Sequence, residues 1–174
     1  MGSIRIPAVR TREPLVLTPG GASIPWPPED DRLSDGTKRA LSFAQDEAAQ
    51  LNHNHLGPAH LLVGLAHDEH ESAAQILAQH GIGLAQLRRA LVATMGRSDA
   101  SIDPAQITLI PRARPVIDLA MGEARRSGRD VTGTDHLLLA LVRESETFTM
   151  QVLEMLGVNS ADIATTVLEQ SGGD

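Results

Sequence analysis

Residues 43–81 read FAQDEAAQLNHNHLGPAHLLVGLAHDEHESAAQILAQHG, and residues 119–157 read LAMGEARRSGRDVTGTDHLLLALVRESETFTMQVLEMLG. A shift of 76 residues superimposes the two without a gap. Glu47 then meets Glu123, Ala48 meets Ala124, Gly57 meets Gly133, and His60 meets His136. Leu61, Leu62 and Leu65 meet Leu137, Leu138 and Leu141; Gln75 and Leu77 meet Gln151 and Leu153; Gly81 meets Gly157. Self-similarity at a fixed period is the signature of a duplicated structural unit. Each half is too small to bury a stable core alone, so the two are expected to pack as a pseudo-twofold pair around one shared core.

The pattern inside each unit is helical. In TKRALSFAQDEAAQL the residues Leu41, Ala44, Ala48 and Leu51 form one apolar stripe, which predicts a helix from about Lys38. PAHLLVGLAH reads as a second, short helix, with Pro58 suited to its first turn. ESAAQILAQHG is a third, with Gly81 placed to end it, and LAQLRRALVATMG a fourth, with Leu84, Leu87 and Leu91 on one face. The expected fold is therefore all-α: two pseudo-symmetric four-helix repeats, about eight helices, in one domain. Residues 34–96 form repeat 1, 97–109 an inter-repeat linker, and 110–170 repeat 2. Residues 171–174 read as a flexible tail. Residues 1–33 hold six of the ten prolines and no helical period, so they read as an extended arm or linker. Within that arm REPLVLT is a candidate short strand, and Trp26 a candidate anchor.

Composition narrows the function. The aromatic content is Phe43, Phe148 and Trp26, so the core must be built from Leu, Ile, Val, Ala and Met. Without cysteine, disulfides, thiolate metal sites and cysteine nucleophiles are excluded. A cytoplasmic setting fits this, and the N-terminus lacks the apolar run of a signal peptide. No run approaches the roughly 20 apolar residues of a membrane span. A net charge of −7 argues against a nucleic-acid binder, and the basic clusters PRARP (111–115) and ARRSGR (124–129) read as solvated surface. No phosphate loop, dinucleotide fingerprint or nucleophile elbow occurs, so neither a cofactor nor a catalytic centre is expected.

Five of the seven histidines fall between positions 53 and 70, which raises the alternative of a metal- or ligand-binding protein using that segment. His53-x-His55 and His67-x-x-His70 can each chelate. The duplication acts as an internal control. His60 meets His136, whereas His53, His55, His67 and His70 face Arg129, Val131, Arg143 and Glu146. A site inherited with the fold would appear twice, and the H-E-x-x-H pattern is missing, so no metal is expected. The unmatched histidines read as exposed side chains at loops and helix ends. His60 and His136, each following Gly57 or Gly133 in the first turn of a helix, are expected to be buried or half-buried and to tie loop to helix through a ring nitrogen.

The second repeat, ARRSGRDVTGTDHLLLALVRES at 124–145 with its entry ITLIPRARPVIDLAMGEAR at 107–125, resembles the Clp N-terminal repeat. In that family a GTEHILLGLLRE-like run occurs twice, at the start of ClpA- and ClpC-type AAA+ unfoldases. The resemblance covers about residues 34–170. It implies a non-catalytic domain that captures substrates and adaptors for Clp proteolysis, as adaptor, decoy, regulator or unfoldase N-domain. It also implies partners: Clp protease components, adaptor proteins and substrate peptides, among them phosphoarginine-marked ones. In ClpC-type members the acid of each GTEH holds the phosphoarginine guanidinium. Asp135 takes that position in repeat 2, preceded by Thr134 as a helix N-cap. Repeat 1 has Pro58 and Ala59 there, so its pocket lacks the charge. The arm and the drifted first repeat favour a stand-alone Clp-N-like protein.

Overall fold

A computed structural model of the chain describes residues 15–17, 23–25, 30–103, 106–109, 113–144 and 147–172. Eight helices lie among them: α1 Asp35–Gln50, α2 Pro58–Leu65, α3 Ser72–Gln79, α4 Leu84–Met95, α5 Ala113–Arg126, α6 Thr134–Glu144, α7 Thr147–Met155 and α8 Ser160–Ser171. The all-α expectation holds. Four very short strands accompany the helices: β1 Leu15–Leu17, β2 Ser23–Pro25, β3 His55–Leu56 and β4 Thr108–Leu109. β1 and β2 pair antiparallel, which puts the candidate strand of the arm in a small hairpin. Trp26 lies outside the described residues.

The duplication is written into the backbone as well as the sequence. α1 and α5 end on the same device: Asn52 (φ 55°) and Gly128 (φ 74°) adopt left-handed backbone. The next residue then turns its amide back, His53 N–H to Ala48 C=O and Arg129 N–H to Ala124 C=O, both at 2.9 Å. These are Schellman closures, which satisfy carbonyls the helix end would otherwise leave bare. α3 and α7 end alike, with Gly81 at φ 75° and Gly157 at φ 72°, and Ile82 and Val158 amides returning to Leu77 and Leu153. Glycine suits these positions because a Cβ disfavours positive φ.

The entry to each repeat is held by the other. Leu33 bridges Thr132 in parallel, and 76 residues on Leu109 of β4 pairs in parallel with Leu56 of β3. Residues 97–109 are thus not a free linker at their end, since Ile107 and Leu109 are buried. α1 begins at Asp35, three residues before the stripe suggests, because the Ser34 hydroxyl accepts the Thr37 amide at 3.1 Å. α8 runs through Ser171, so the tail begins one residue later than expected; residues 173–174 lie outside the described residues. One apolar cluster joins both repeats, from Leu33 through Leu41, Leu62, Leu87, Leu138 and Leu153 to Val167.

The closest crossing inside repeat 1 is between α1 and α2. A Cβ built on Gly64 would lie 2.3 Å from the Ala40 carbonyl oxygen, so only glycine fits there. The related position in repeat 2 is Ala140, fully buried, so α5 and α6 leave room for a methyl group.

Candidate functional site

The turn that opens the second helix of each repeat carries the matched glycines and histidines, with Pro58 and Ala59 in repeat 1 and Thr134 and Asp135 in repeat 2. In repeat 1 the Gly57 amide donates to His60 Nδ1 at 3.1 Å; in repeat 2 the Gly133 amide donates to His136 Nδ1 at 2.9 Å. This is half of a capping box, with imidazole in the place of glutamate or glutamine three residues into the motif. Nδ1 must be unprotonated to accept, so the ring proton sits on Nε2. His60 Nε2–H then donates to His53 Nδ1 at 2.8 Å, and His53 Nε2–H to the Gly96 carbonyl at 3.0 Å. Burial pushes the His60 pKa down to about 3, with the neighbouring His53 and His55 adding to the shift. Burial also lowers His53 and His136 below the usual 6.5, for His136 against the pull of Asp135.

His53 and His67 are therefore not the exposed histidines the sequence suggests. His53 is buried beneath the end of α4. His67 stacks on Phe43 with ring centroids 4.3 Å apart and meets the Glu47 carboxylate at 2.7 Å. Glu47 is itself buried and takes two further bonds from Arg88. Repeat 2 holds the same arrangement: buried Glu123 accepts from Arg143, which occupies the position of His67, and from Arg126. The signal was present in the sequence as a matched Glu with a nitrogen-bearing side chain, His67 or Arg143, 20 positions later in both repeats. With both nitrogens of His53 and of His60 engaged, neither can ligate an ion without breaking the turn. No group of three or more His, Asp or Glu suited to a metal occurs among the described residues.

The four residues expected to bind ligand are all buried. Pro58 and Ala59 open α2 beneath the surface, Ala59 at 2% exposure. Thr134 is the first residue of α6. Its hydroxyl accepts the Ala73 amide at 3.3 Å and donates to Glu71 Oε2 at 3.3 Å, tying repeat 2 to the start of α3. Glu71 in turn receives Arg39 at 2.9 Å. Asp135, 8% exposed, turns Oδ1 towards His136 Nδ1 at 3.2 Å and accepts from Ser171 at 3.5 Å.

Asp135, His136 and Ser127 stand in the order acid, imidazole, hydroxyl, with Ser127 Oγ 3.0 Å from His136 Nε2. A nucleophilic serine needs the imidazole Nε2 to take its proton while the acid accepts a hydrogen bond from Nδ1–H. Here the directions run the other way. Gly133 donates into Nδ1, Nε2–H donates to Ser127, and the Ser127 hydroxyl proton goes to the Ala124 carbonyl at 2.9 Å. The trio closes the end of α5 rather than activating a hydroxyl.

Two intertwined four-helix repeats, opened by a glycine–histidine turn and cross-held at their entries, define a double-repeat helical domain. The chain belongs to the Clp repeat (R) N-terminal domain family, whose model matches residues 32–172. It is 35% identical over 143 residues to the negative regulator of genetic competence ClpC/MecB of Bacillus subtilis, covering 82% of this chain and 17% of that protein. It thus spans about one sixth of that relative's length. The N-terminal domain of the caseinolytic protease associated chaperone ClpD from Arabidopsis thaliana shares the fold, with a TM-score of 0.70 at 20% identity over 82% of this chain and 96% of that one. A ClpV N-domain solved in complex with a VipB peptide does so at 0.54 and 18% identity, over 82% and 91%. No helix among the described residues is long and apolar enough to cross a membrane.

Proposed function

We propose that the chain is a non-catalytic protein- and peptide-binding module of Clp-type proteolysis, acting in the cytoplasm on substrates or adaptors. The observation that carries this reading is membership of the Clp repeat N-terminal domain family across residues 32–172, in a fold that one relative uses to hold a peptide. The reversed hydrogen-bond directions at Ser127 and His136 support the non-catalytic part. The test is affinity capture from native lysate with the purified chain. Enrichment of Clp subunits together with their adaptors or clients is expected; capture no better than that by an unrelated helical domain of equal charge overturns the reading. ATPase and peptidase assays on the same preparation should stay at background.

Recognition of a phosphoarginine mark, on this reading, is single-sited. Asp135 supplies the planar carboxylate that pairs with a guanidinium through charge-assisted bonds, and Ala59 offers none at the related turn. To bind, the Asp135 carboxylate must exchange Ser171 for the ligand. Calorimetry with a phosphoarginine peptide decides: one site in the parent, lost in Asp135→Ala, is expected, and Ala59→Glu should raise the stoichiometry. No binding by the parent, or binding indifferent to Asp135→Ala, removes this pocket.

A further inference from the structure

The duplication creates the same inter-helix groove twice, and only one copy is closed. α4 packs on α7, and by the 76-residue relation α8 packs on α3. In the α3/α8 copy, Gln170 Nε2 donates to Gln79 Oε1 at 3.0 Å and His80 Nε2 meets Thr166 Oγ at 2.9 Å, so polar side chains zip the rim. In the α4/α7 copy, Thr94 and Met155 take the places of Gln170 and Gln79, and Ala90 and Leu156 those of Thr166 and His80. Neither pair can form the corresponding bond. The groove stays open as a cleft of about 450 Å³ lined by Ala93, Thr94, Gln151, Glu154 and Met155. That volume falls in the range of ligand clefts, roughly 300–1,000 Å³.

The open copy also carries exposed apolar surface. Met155 is 55% exposed, and Phe148, two helical turns before it on α7, is 40% exposed. Phe148, Gln151 and Met155 fall at i, i+3 and i+7, one face of the helix about 10 Å long. An unbranched thioether adapts to varied apolar partners, which is why methionine is common on surfaces that accept several peptides. The charged residue lining the cleft is the acidic Glu154, where the closed copy has Ala78. Water-exposed apolar side chains beside one carboxylate match an apolar segment flanked by a cation, and the chain's net charge of −7 favours the same partner at longer range.

We infer that the α4/α7 groove is a docking site for short apolar peptide segments flanked by lysine or arginine. This rests on the binding-module reading above and adds to it the surface and the partner chemistry. The site is separate from the Asp135 turn, whose carboxylate faces Ser171 at the end of α8.

The test uses fluorescence anisotropy with three labelled peptides: a Leu/Met-rich dodecamer with Lys flanks, the same core with Glu flanks, and a Ser/Gly-rich control with Lys flanks. The first should bind and the other two should not. Thr94→Gln with Met155→Gln installs the amide pair of the closed copy and should abolish binding; Glu154→Lys should weaken it about two- to five-fold, the size of one screened charge contact. The reverse graft, Ala78→Glu with Gln79→Met and Gln170→Thr, should open the second groove and raise the stoichiometry from one peptide to two. All these positions are at the surface, and circular dichroism confirms that each variant folds. Equal affinity for Lys- and Glu-flanked peptides, binding unchanged in the double Gln variant, or no binding of any peptide overturns the inference. Concentration-dependent dimerisation abolished by the double Gln variant also overturns it, by making a second copy the occupant. Lysate capture repeated with that variant separates the two levels: Clp partners retained by a variant without peptide binding leave the module reading standing and the groove unused for it.

Discussion

Repeats 1 and 2 share a skeleton and differ in what they hang on it. Both end their first helix on a left-handed residue, Asn52 or Gly128, and both bury a glutamate, Glu47 beneath His67 and Arg88 or Glu123 beneath Arg126 and Arg143. Both fold an imidazole back onto the glycine that opens the next helix. The differences lie one contact further out. Repeat 1 fills the space beyond His60 with a second imidazole, where repeat 2 uses Ser127. Repeat 1 uses Gly64 where repeat 2 tolerates Ala140, so α1 and α2 approach more closely than the related pair. Positions that set helix ends and buried polar bonds are held in common because each has one workable solution. Positions that only fill or face outward have many.

The comparison can be broken most easily at the helix crossing. Gly64→Val places branched carbon against the Ala40 carbonyl and should destabilise by about 3 kcal/mol, the upper part of the overpacking range. The mirrored Ala140→Gly should cost only about 1 kcal/mol, mainly backbone entropy. Urea denaturation measures both; equal losses would mean the two crossings are alike after all.

The buried glutamates come next. Glu47→Gln and Glu123→Gln should each destabilise by about 2 kcal/mol, the scale of a hydrogen bond to a charged group. Burial alone would raise the Glu47 pKa, but the bonds from His67 and Arg88 outweigh it and hold it below the ordinary 4.5. A carboxylate with a lowered folded pKa contributes stability that is complete above the unfolded value and fades as pH falls through the folded one. Wild type should therefore lose stability below pH 4.5 more steeply than Glu47→Gln. Parallel curves for the two proteins would sink that assignment.

A second pH dependence should appear at milder pH. His60 is neutral in the fold down to about 3, whereas the unfolded imidazole takes its proton near 6.5. Between those values the unfolded chain binds more protons, so stability declines steadily as pH falls below 6.5. His60→Gln keeps an acceptor for the Gly57 amide and should flatten the melting temperature between pH 6.5 and 5. His136→Gln should flatten it less, because Asp135 beside that ring favours its cation. The smallest effect belongs to Asp135→Ala, a lowering of about 0.5 kcal/mol through the lost charge at the α6 N-terminus. Thermal melts check it; a loss as large as that of Glu47→Gln would make Asp135 a structural residue first.

Much of the fold was legible because its signals are local. The spacing of Leu41, Ala44, Ala48 and Leu51 marks α1, and the recurrence of His60 and His136 after matched glycines marks the start of α2 and α6. The start of α1 lies ahead of the apolar stripe because Ser34 acts through a side-chain bond outside it. β4 was missed because a two-residue parallel strand has no periodicity to show. Of the site, the matched glycines, the buried histidines and Asp135 could be named in advance, but not the burial of Asp135. The Thr134 hydroxyl reaches Ala73 and Glu71 in the other repeat, a choice no local propensity encodes.

By itself, then, the sequence determined the helices and the twofold duplication, since hydrophobic spacing and helix caps act over a few residues. It also determined the family, through the run from Gly133 to Leu141. Only the tertiary structure decided which side chains meet across the repeats: His53 beneath Gly96, Thr134 on α3, and the open groove of Thr94 and Met155 beside its closed twin. Those meetings depend on how two four-helix units interlock, and burial, hydrogen-bond partners and ionisation all follow from that packing.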